Sequence, residues 1–315
     1  MSKIPVAVIA GPTGVGKTAL SVKVAKLLDA EIISADSMQI YKKMDIGTAK
    51  VTKDEMEGVP HHLIDIVEPD VNFSVRDFVE KCKEAAADII SRGKLPLIAG
   101  GTGLYIDSFL RDIDFTDTEV DNEYRQQLET IAAQKGNGYL HNELQKIDPE
   151  SARTIHPNNV KRVIRALEFY KSTGFAISKH NELSKQKPSP YNCCYICLVR
   201  DRDELYERID KRVDIMLRDG LVEETKSLID CGISIDSTCM QAIGYKEIVP
   251  YIMDDMSFEQ AVENLKRSSR RYAKRQLTWF GNRQDVIYVN LSEKRDMDQC
   301  AKMCAQIIKD TLEKG

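Results

Sequence analysis

The chain has 315 residues, of which 42% are hydrophobic and 30% charged, a composition typical of a soluble globular protein with a substantial core. No apolar run approaches the roughly 18 to 20 residues that span a bilayer, so we expect no membrane segment. The net charge of −4 argues against a surface that binds nucleic acid everywhere, although it leaves room for a local basic groove.

The first predicted elements are a strand and a helix joined by a glycine-rich turn. The run Lys3–Ala10 is apolar and predicts the strand; apolar residues three and four apart predict the helix, namely Leu20, Val24, Leu27 and Leu28. The chain enters the strand without a charged segment followed by a long apolar stretch. We therefore expect no signal peptide and a cytoplasmic location.

The turn between these elements fits the phosphate-binding pattern G-x-x-x-x-G-K-[ST]. Its residues are Gly11, Pro12, Thr13, Gly14, Val15, Gly16, Lys17 and Thr18. The glycines let backbone N–H groups turn towards phosphate oxygens at the positive end of the helix. Lys17 adds a charge near the terminal phosphate, and the Thr18 hydroxyl is a ligand for Mg²⁺. This P-loop predicts a magnesium-assisted site for a diphosphate or a triphosphate.

The P-loop does not by itself identify the phosphate compound. ATP or GTP is the usual ligand of such a loop, which makes nucleotide binding the default expectation. No Asn-Lys-x-Asp segment for guanine is present. The ligand therefore has to be inferred from other parts of the chain.

Two further strands are predicted at Glu31–Ser34 and Leu95–Ala99, with a helix over Asp77–Ser91 between them. Strands that alternate with helices indicate a doubly wound parallel sheet, whose ligands lie at the carboxyl ends of the strands. Just after the second strand comes a carboxylate, Asp36. Asp36 either faces the phosphates, where it holds Mg²⁺ or accepts a proton from a nucleophile, or caps a helix. Spacing alone leaves both interpretations open.

From about Asp114 to Lys187 the pattern changes to caps and amphipathic helices, with no convincing strand. Asp121 is a candidate cap for a helix that runs through Gln134. A second helix is predicted over Val160–Tyr170, with an apolar stripe formed by Val163, Leu167 and Tyr170. The polar run Lys185–Pro190 predicts a linker.

Strand patterns resume at Tyr195–Val199 and at Val286–Val289. The economical architecture is a P-loop core over residues 1–115 and 193–315, with a helical insertion over residues 116–192. Cys194 and Cys197 have a C-x-x-C spacing, but no second pair at zinc-finger spacing follows them. We therefore expect the eight cysteines to be reduced structural thiols.

Two basic segments are candidates for nucleic-acid contacts. The first places six cations within ten residues, namely Lys266, Arg267, Arg270, Arg271, Lys274 and Arg275. Aromatic and amide side chains lie among them, and this combination suits a phosphate backbone with unstacked bases. A solvated helix paired to acidic neighbours is the alternative, and both stay open. The second segment, Lys161–Arg165, lies on an insertion helix and suggests the other half of a clamp.

Arg208 and Arg212 lie four residues apart on the helix after the Tyr195–Val199 strand. They either direct guanidinium groups at the phosphates or pair with the acidic residues beside them. His61 and His62 are neighbours in an extended segment, so their side chains diverge. The two histidines therefore do not suggest a joint metal site.

Several separate motifs resemble the bacterial tRNA isopentenyltransferase family, the tRNA dimethylallyltransferases. Beside the P-loop they are the runs 33–41 (ISADSMQIY), 44–50 (MDIGTAK), 59–65 (VPHHLID), 100–105 (GGTGLY), 242–246 (AIGYK) and 272–280 (YAKRQLTWF). The resemblance covers nearly the whole chain, and the first and last of these runs are far more selective than the P-loop. It implies an α/β, P-loop NTPase-like parallel sheet flanked by helices, with an all-helical insertion domain that clamps tRNA.

The resemblance also implies a reaction. The P-loop would hold the diphosphate of dimethylallyl diphosphate, and the dimethylallyl group would move to N6 of the adenosine just 3′ of the anticodon. The acceptors would be tRNAs that read codons beginning with U. Asp36 matches the family's general base. Thr18 with Mg²⁺, Lys17, Thr13 and the arginine matched by Arg212 would neutralise the released diphosphate.

In this family the target base must be extruded from the anticodon stack, which fits a channel with stacking and backbone contacts. The family's contacts to tRNA map onto a set of positions in this chain. They are Asp36, Ser37, Met38, Gln39, Thr102, Arg125, Lys161, Arg162, Val163, Ile164, Arg165, Gln241, Ala242, Ile243, Gly244, Tyr245 and Lys246. One departure from the family pattern is Gly281, where an arginine is frequent, so one backbone contact is in doubt. The partners implied are tRNA and dimethylallyl diphosphate, with the protein a monomer.

Three other functions compete with this one. A small-molecule phosphotransferase, or an adenylate isopentenyltransferase acting on free AMP, would also use the P-loop. Neither explains the helical insertion and the basic C-terminal helix. A P-loop ATPase or nucleic-acid-binding switch protein without transfer chemistry is the alternative from another class.

Overall fold

The computed structural model describes residues 3–113, 121–281, 283–294 and 296–314. The chain divides into two compact units, one of residues 1–110 and 190–315 and the other of residues 111–189. The boundary expected at residues 115 and 116 lies outside the described residues. The boundary expected at 192 and 193 falls inside a strand that begins at Tyr191, because the sheet pairing starts before the apolar run becomes continuous.

One parallel sheet of six strands forms the centre of the first unit. The strands are β1 Ile4–Ala10, β2 Ala30–Ala35, β3 His61–His62, β4 Leu95–Gly100, β5 Tyr191–Val199 and β6 Ile287–Asn290. Their order across the sheet is β3-β2-β4-β1-β5-β6, and every pair is parallel. The predicted α/β class with a parallel sheet is confirmed. The sequence pattern missed β3, because two residues are too few to show a period.

The helices of both units are as follows: α1 Lys17–Leu28, α2 Lys53–Met56, α3 Val75–Ser91, α4 Gly103–Leu110, α5 Asn122–Lys135, α6 Asn137–Ile147, α7 Pro149–Thr154, α8 Val160–Thr173, α9 Ile177–Gln186, α10 Arg202–Arg218, α11 Leu221–Asp230, α12 Tyr245–Ile252, α13 Phe258–Phe280 and α14 Met297–Lys314. Ser74 and Ser257 begin α3 and α13 with capping boxes. Among the described residues, no helix combines the length and apolar character that a membrane crossing needs.

The strand register brings three loops to one edge of the sheet. Ala10 at the end of β1 and Ala35 at the end of β2 both lie opposite Gly100 at the end of β4. The P-loop follows β1, Asp36 follows β2, and the glycine run follows β4. Residues more than sixty positions apart therefore converge at the carboxyl edge, where parallel sheets bind ligands.

Two buried apolar clusters hold this unit together. One lies between the sheet and the outer helices, with Ile9 and Ile196 from strands and Leu20 and Ile308 from α1 and α14. The other joins the loop after β2 to α12 and α13, and its largest buried side chains are Tyr41 and Tyr245. Apolar burial on this scale is the main stabilising term of the fold.

The second unit has five helices, α5 to α9, and no strand in its described residues, 111–113 and 121–189. Its core includes Leu140, Leu144, Val163 and Leu167. The expected apolar stripe is wrong at Tyr170, which is 38% exposed because the helix rotates it away from that core. The expected linker is also partly wrong, because α9 continues through residue 186.

Candidate active site

The P-loop has the geometry of an anion site. Gly14 and Gly16 have φ angles of 79° and 109°, a backbone region that favours glycine, and α1 begins immediately after Gly16. Within the described part of the chain, no acceptor meets the backbone N–H groups of Gly14, Gly16, Lys17 and Thr18. These donors lie at the positive end of α1, so an anion placed there would satisfy them together.

Lys17 reaches over the loop, and its Nζ donates to Pro12 O at 2.9 Å. Its pKa is lowered to about 8, chiefly because burial disfavours the charged amine. The neighbouring charge of Arg212 lowers the Lys17 pKa further, whereas Asp36 raises it. These three charges are thus close enough to interact, and an anionic ligand would stabilise the cationic form of Lys17.

A side chain from a distant segment of the chain holds the P-loop by hydrogen bonds. Gln276 is 6% exposed. Its Oε1 accepts from Thr13 N at 2.8 Å, and its Nε2 donates to Gly101 O at 2.9 Å. This amide links the P-loop to the loop after β4, and so fixes two walls of the site. The selective run 272–280 contains Gln276, but its supporting role was not visible in the sequence.

Arginines also hold the loop. Arg208 Nε donates to Gly14 O at 2.9 Å, and Arg200 Nε donates to Val15 O at 2.9 Å. The expectation that Arg208 points at phosphates is therefore incomplete, because its Nε is bonded to the loop carbonyl. Arg200 was missed, and the available signal was its position directly after β5, the strand beside β1.

Asp36 both caps a turn and lines a cavity beside the P-loop. Its Oδ1 accepts from Met38 N at 2.9 Å and from Gln39 N at 3.4 Å, so one oxygen caps the turn after β2. The same carboxylate lines a cavity together with Lys17 and Thr18. The turn therefore fixes the orientation of Asp36 while its second oxygen is available to a ligand.

Polar and apolar side chains both line the cavity. Its other lining residues are Ser21, Ile32, Ser34, Gln39, Val51, His61, Ile64, Ala99 and Gly100. Burial lowers the pKa of His61, whose Nδ1 lies 2.8 Å from Val59 O. His62 Nε2 lies instead 2.8 Å from Glu31 Oε2, so the two histidines have different partners. Such a cavity can hold a small apolar group next to a bound diphosphate.

Arg212 reaches the same region from α10. Its side chain donates to Thr48 O at 3.2 Å. Burial lowers the pKa of Arg212, and the nearby charge of Asp36 opposes that effect. Two arginines were predicted to face phosphates. Arg212 is the one whose charge interacts with those of Lys17 and Asp36.

Thr102 connects the loops after β2 and β4. Its backbone N–H donates to Ala35 O at 3.1 Å, and its hydroxyl accepts from Ser37 N at 3.2 Å. The side chain of Tyr272 on α13 also forms a hydrogen bond with Thr102. The predicted site residues Ser37 and Thr102 therefore lie together beside Asp36.

The six cations of α13 divide into two groups. Lys266 pairs with Asp214 at 2.6 Å, and Arg270 pairs with Asp210 at 2.7 Å, as in an ordinary solvated helix. The remaining four are exposed, and no described carboxylate forms an ion pair with them: Arg267, Arg271, Lys274 and Arg275. These four, which we call the basic face of α13, are the ones available to an external polyanion.

The run Gln241–Lys246 contributes less surface than expected. Gln241 and Lys246 are exposed, whereas Ala242, Gly244 and Tyr245 are buried. The Tyr245 ring packs so closely on Gly47 that a Cβ there would lie 2.5 Å from it. These three side chains face the core, so tRNA contact at these positions stays a prediction that their side chains do not support.

The second unit presents its own cations. Lys161, Arg162 and Arg165 are exposed on α8. Val163 and Ile164 are buried and face the helical core, so tRNA contact at these two positions stays a prediction that their side chains do not support. Arg125 makes a bidentate ion pair with Glu168, with Nε–Oε1 and NH2–Oε2 distances of 2.7 and 3.0 Å. That pair occupies part of the Arg125 guanidinium.

Comparison with known proteins agrees with the motifs. A family model described as IPP transferase matches residues 39–284, and one described as isopentenyl transferase matches residues 4–72. The chain is 50% identical over 310 residues to a tRNA dimethylallyltransferase of Lachnoclostridium phytofermentans, covering 98% of each chain. A tRNA isopentenylpyrophosphate transferase of Bacillus halodurans has a crystal structure with a TM-score of 0.74, 45% identity and 99% coverage of both chains.

A more distant structure shows the same fold. It is a eukaryotic dimethylallyltransferase acting on tRNA, with a TM-score of 0.84 and 31% identity. The match covers 96% of this chain and 77% of that one.

Proposed function

The chain belongs to the IPP transferase family, and from that membership we propose that it transfers the dimethylallyl group of dimethylallyl diphosphate to a tRNA adenosine. The acceptor atom is N6 of the adenosine 3′ to the anticodon, in tRNAs that read codons beginning with U. The observation that carries this proposal is that Lys17 and Asp36 line one cavity beside the P-loop, with Arg212 close enough for its charge to interact with both.

The P-loop would hold the departing diphosphate. Its backbone N–H groups, Lys17 and Arg212 neutralise charge that grows as the carbon–oxygen bond of the donor breaks. Thr13 contributes through its hydroxyl, because its backbone N–H is bonded to Gln276. Neutralising the leaving group is the largest contribution, since an allylic cation forms readily once diphosphate departs.

Asp36 would accept the proton of the nucleophile. As the new bond forms between N6 and the allylic carbon, the donor's carbon–oxygen bond breaks and one N6 proton passes to Asp36. The turn bonds from Met38 and Gln39 hold one carboxylate oxygen, so the other oxygen can face the amine. Diphosphate carries away the electron pair of the broken bond.

Magnesium fits this site as a partner of the diphosphate. No cluster of three or more His, Cys, Asp or Glu suited to a metal occurs among the residues that the structure describes. Mg²⁺ commonly takes one or two protein ligands and completes its shell with substrate phosphates and water. The exposed Thr18 hydroxyl, on the cavity that Asp36 also lines, supplies such a ligand. When bound, Mg²⁺ would offset negative charge on the diphosphate.

Removal of Mg²⁺ with a chelator is expected to weaken the binding of inorganic diphosphate and to stop prenyl transfer. Titration calorimetry with diphosphate measures the first effect without requiring chemistry. Thr18→Ala should raise the Mg²⁺ concentration at which diphosphate binding is half-maximal, while Ser292→Ala, a change outside the cavity, should not. Binding of diphosphate that is equally tight with and without Mg²⁺ would contradict this assignment.

The basic face of α13 is proposed to contact the tRNA backbone. Removing one such phosphate contact lowers the slope of log affinity against log salt by about 1, or slightly less on single strands. Arg271→Ala and Lys274→Ala should each produce this change in tRNA affinity measured from about 50 to 200 mM salt. Lys309→Ala, an exposed lysine on α14, is the matched control. Unchanged slopes in both variants would remove this face from the interface.

Transfer itself is tested by incubating the protein with labelled dimethylallyl diphosphate and unmodified tRNA. Label in N6 of the adenosine next to the anticodon supports the proposal. Label in AMP but not in tRNA would favour the adenylate enzyme, and ATP turnover without prenyl transfer would favour the switch protein. A tRNA with guanosine at that position is the substrate control.

A further inference from the structure

Glu224 is a side chain of α11 that lies outside the P-loop and outside the motifs that carry the family resemblance. We propose that Glu224 is a positioning residue for Arg212 and acts through the backbone of residues 45–48, which we call the Arg212 loop. The importance of Arg212 for catalysis rests on the proposed function, whereas the coupling between Glu224 and Arg212 rests on contacts alone.

The Glu224 carboxylate grips one side of the Arg212 loop. Its Oε2 accepts from Asp45 N and from Ile46 N, both at 2.8 Å. Its Oε1 accepts from Gly47 N at 2.9 Å and from the Tyr245 hydroxyl at 2.6 Å. Three consecutive backbone donors thus share one carboxylate, an arrangement that only an ionised acceptor satisfies in full.

A carbonyl oxygen at the end of the Arg212 loop accepts hydrogen bonds from two candidate site residues. Thr48 O, one residue beyond the last Glu224 contact, accepts from Arg212 at 3.2 Å and from Gln39 Nε2 at 3.3 Å. The orientation of this carbonyl follows from the orientation of the peptide groups before it. Glu224 therefore sets the direction in which Thr48 O meets Arg212.

The Arg212 loop has few ways to compensate for loss of its hydrogen bonds to Glu224. Lys50 anchors its far end, bonding Tyr41 O at 2.7 Å and Asp45 Oδ1 at 2.6 Å. The Tyr245 ring covers Gly47, so the loop cannot move towards α12. Without the carboxylate, three backbone N–H groups lose their acceptor, and those of half-buried Ile46 and buried Gly47 must rotate away from the core to reach water.

Glutamine is the informative replacement for Glu224. It keeps the shape and one acceptor oxygen, but its NH₂ group faces backbone donors and forces part of the loop to turn. A purely structural defect would lower stability and affect every ligand. A defect transmitted through Arg212 would weaken diphosphate binding selectively and would disappear when Arg212 is already altered.

A double-mutant cycle of Glu224→Gln and Arg212→Lys tests the proposal, with inorganic diphosphate as the calorimetric probe. Contacting or linked residues give non-additive effects in such a cycle, while independent residues give additive ones. We expect Glu224→Gln to weaken diphosphate binding about tenfold and the double variant to bind within about twofold of Arg212→Lys alone. Affinity for tRNA should change by less than about twofold.

Glu223→Gln, on the exposed neighbour in the same helix, is the matched control and should bind diphosphate like the natural protein. Additive losses in the cycle, or equal losses for diphosphate and tRNA, would overturn the proposal. Coupling seen with diphosphate in a protein that does not prenylate tRNA would support the proposal while refuting the proposed function. The two failures are therefore distinguishable.

Discussion

Replacement of Asp36 by asparagine is expected to lower kcat for prenyl transfer by about 10²- to 10⁴-fold. The amide oxygen of asparagine can still accept the hydrogen bonds that Met38 N and Gln39 N give to Asp36 Oδ1. The turn after β2 is thereby retained, while the group that takes the N6 proton is lost. Single-turnover rates with saturating tRNA and dimethylallyl diphosphate measure the effect.

The affinity of the Asp36→Asn variant for tRNA should stay within a few-fold of the natural value. Asp36→Ala should lose transfer as well, with an additional loss of stability because the turn bonds disappear. Asp54→Asn, an exposed aspartate on α2, controls for the loss of one negative charge. Near-normal turnover in Asp36→Asn would exclude Asp36 as the base.

Replacement of Glu31 by alanine is expected to lower the free energy of unfolding by about 1 to 3 kcal/mol. Glu31 is 2% exposed on β2. Its carboxylate accepts hydrogen bonds from the two terminal guanidinium nitrogens of Arg92, with NH2–Oε2 at 2.8 Å, and lies 3.2 Å from Lys94 Nζ. Removing it leaves cationic groups without their buried partner. Urea unfolding at pH 7 measures the loss.

The contribution of Glu31 should depend on pH. The pKa of Glu31 is lowered from 4.5 to about 2, chiefly by hydrogen bonds from Arg92. His62 and Lys94 lower this pKa further, whereas burial raises it. A depressed pKa means that the folded state prefers the ionised carboxylate. The stabilisation is therefore complete above about pH 4.5 and is lost as the pH falls towards 2.

Comparison of the natural protein with Glu31→Gln between pH 5 and 2 tests this dependence. The difference in free energy of unfolding should shrink steadily as the pH falls, because both side chains become neutral. Glu68→Gln is the control, since Glu68 pairs with Lys42 at an exposed position, where solvent screens the ion pair. A difference that stays constant over this range would show that packing, and not charge, accounts for the effect of Glu31.

Local patterns predicted the first strand, the first helix and the P-loop between them. The apolar run before Gly11 predicted β1 within one residue, and the spacing of Leu20 and Val24 predicted a helix where α1 lies. The P-loop is contiguous, so its donors, its lysine and its hydroxyl follow from eight neighbouring residues. Parallel topology then placed Asp36 beside it, because strand ends of a doubly wound sheet share one edge.

Contiguous motifs were less informative about which residues face a ligand. Val163 and Tyr245 lie within predicted contact segments, yet both are buried. A helix shows only one face to solvent, so a run of five or six residues always includes some that face the core. Arg208 and Arg212 share a helical face, and only the packing of α10 against the sheet decides that Arg212 lies nearer the charges of the cavity.

The sequence by itself determined the phosphate-binding loop, the parallel α/β class and the general base candidate, because each is encoded by neighbouring residues or by strand order. The tertiary structure alone decided what holds that loop in place. Gln276 reaches Thr13 across 263 positions, and Glu224 reaches Gly47 across 177. Contacts at such separations arise only when distant helices pack on the same sheet edge, so no local pattern records them. The P-loop supplies the donors of the site, and these remote side chains hold the surrounding loops in position.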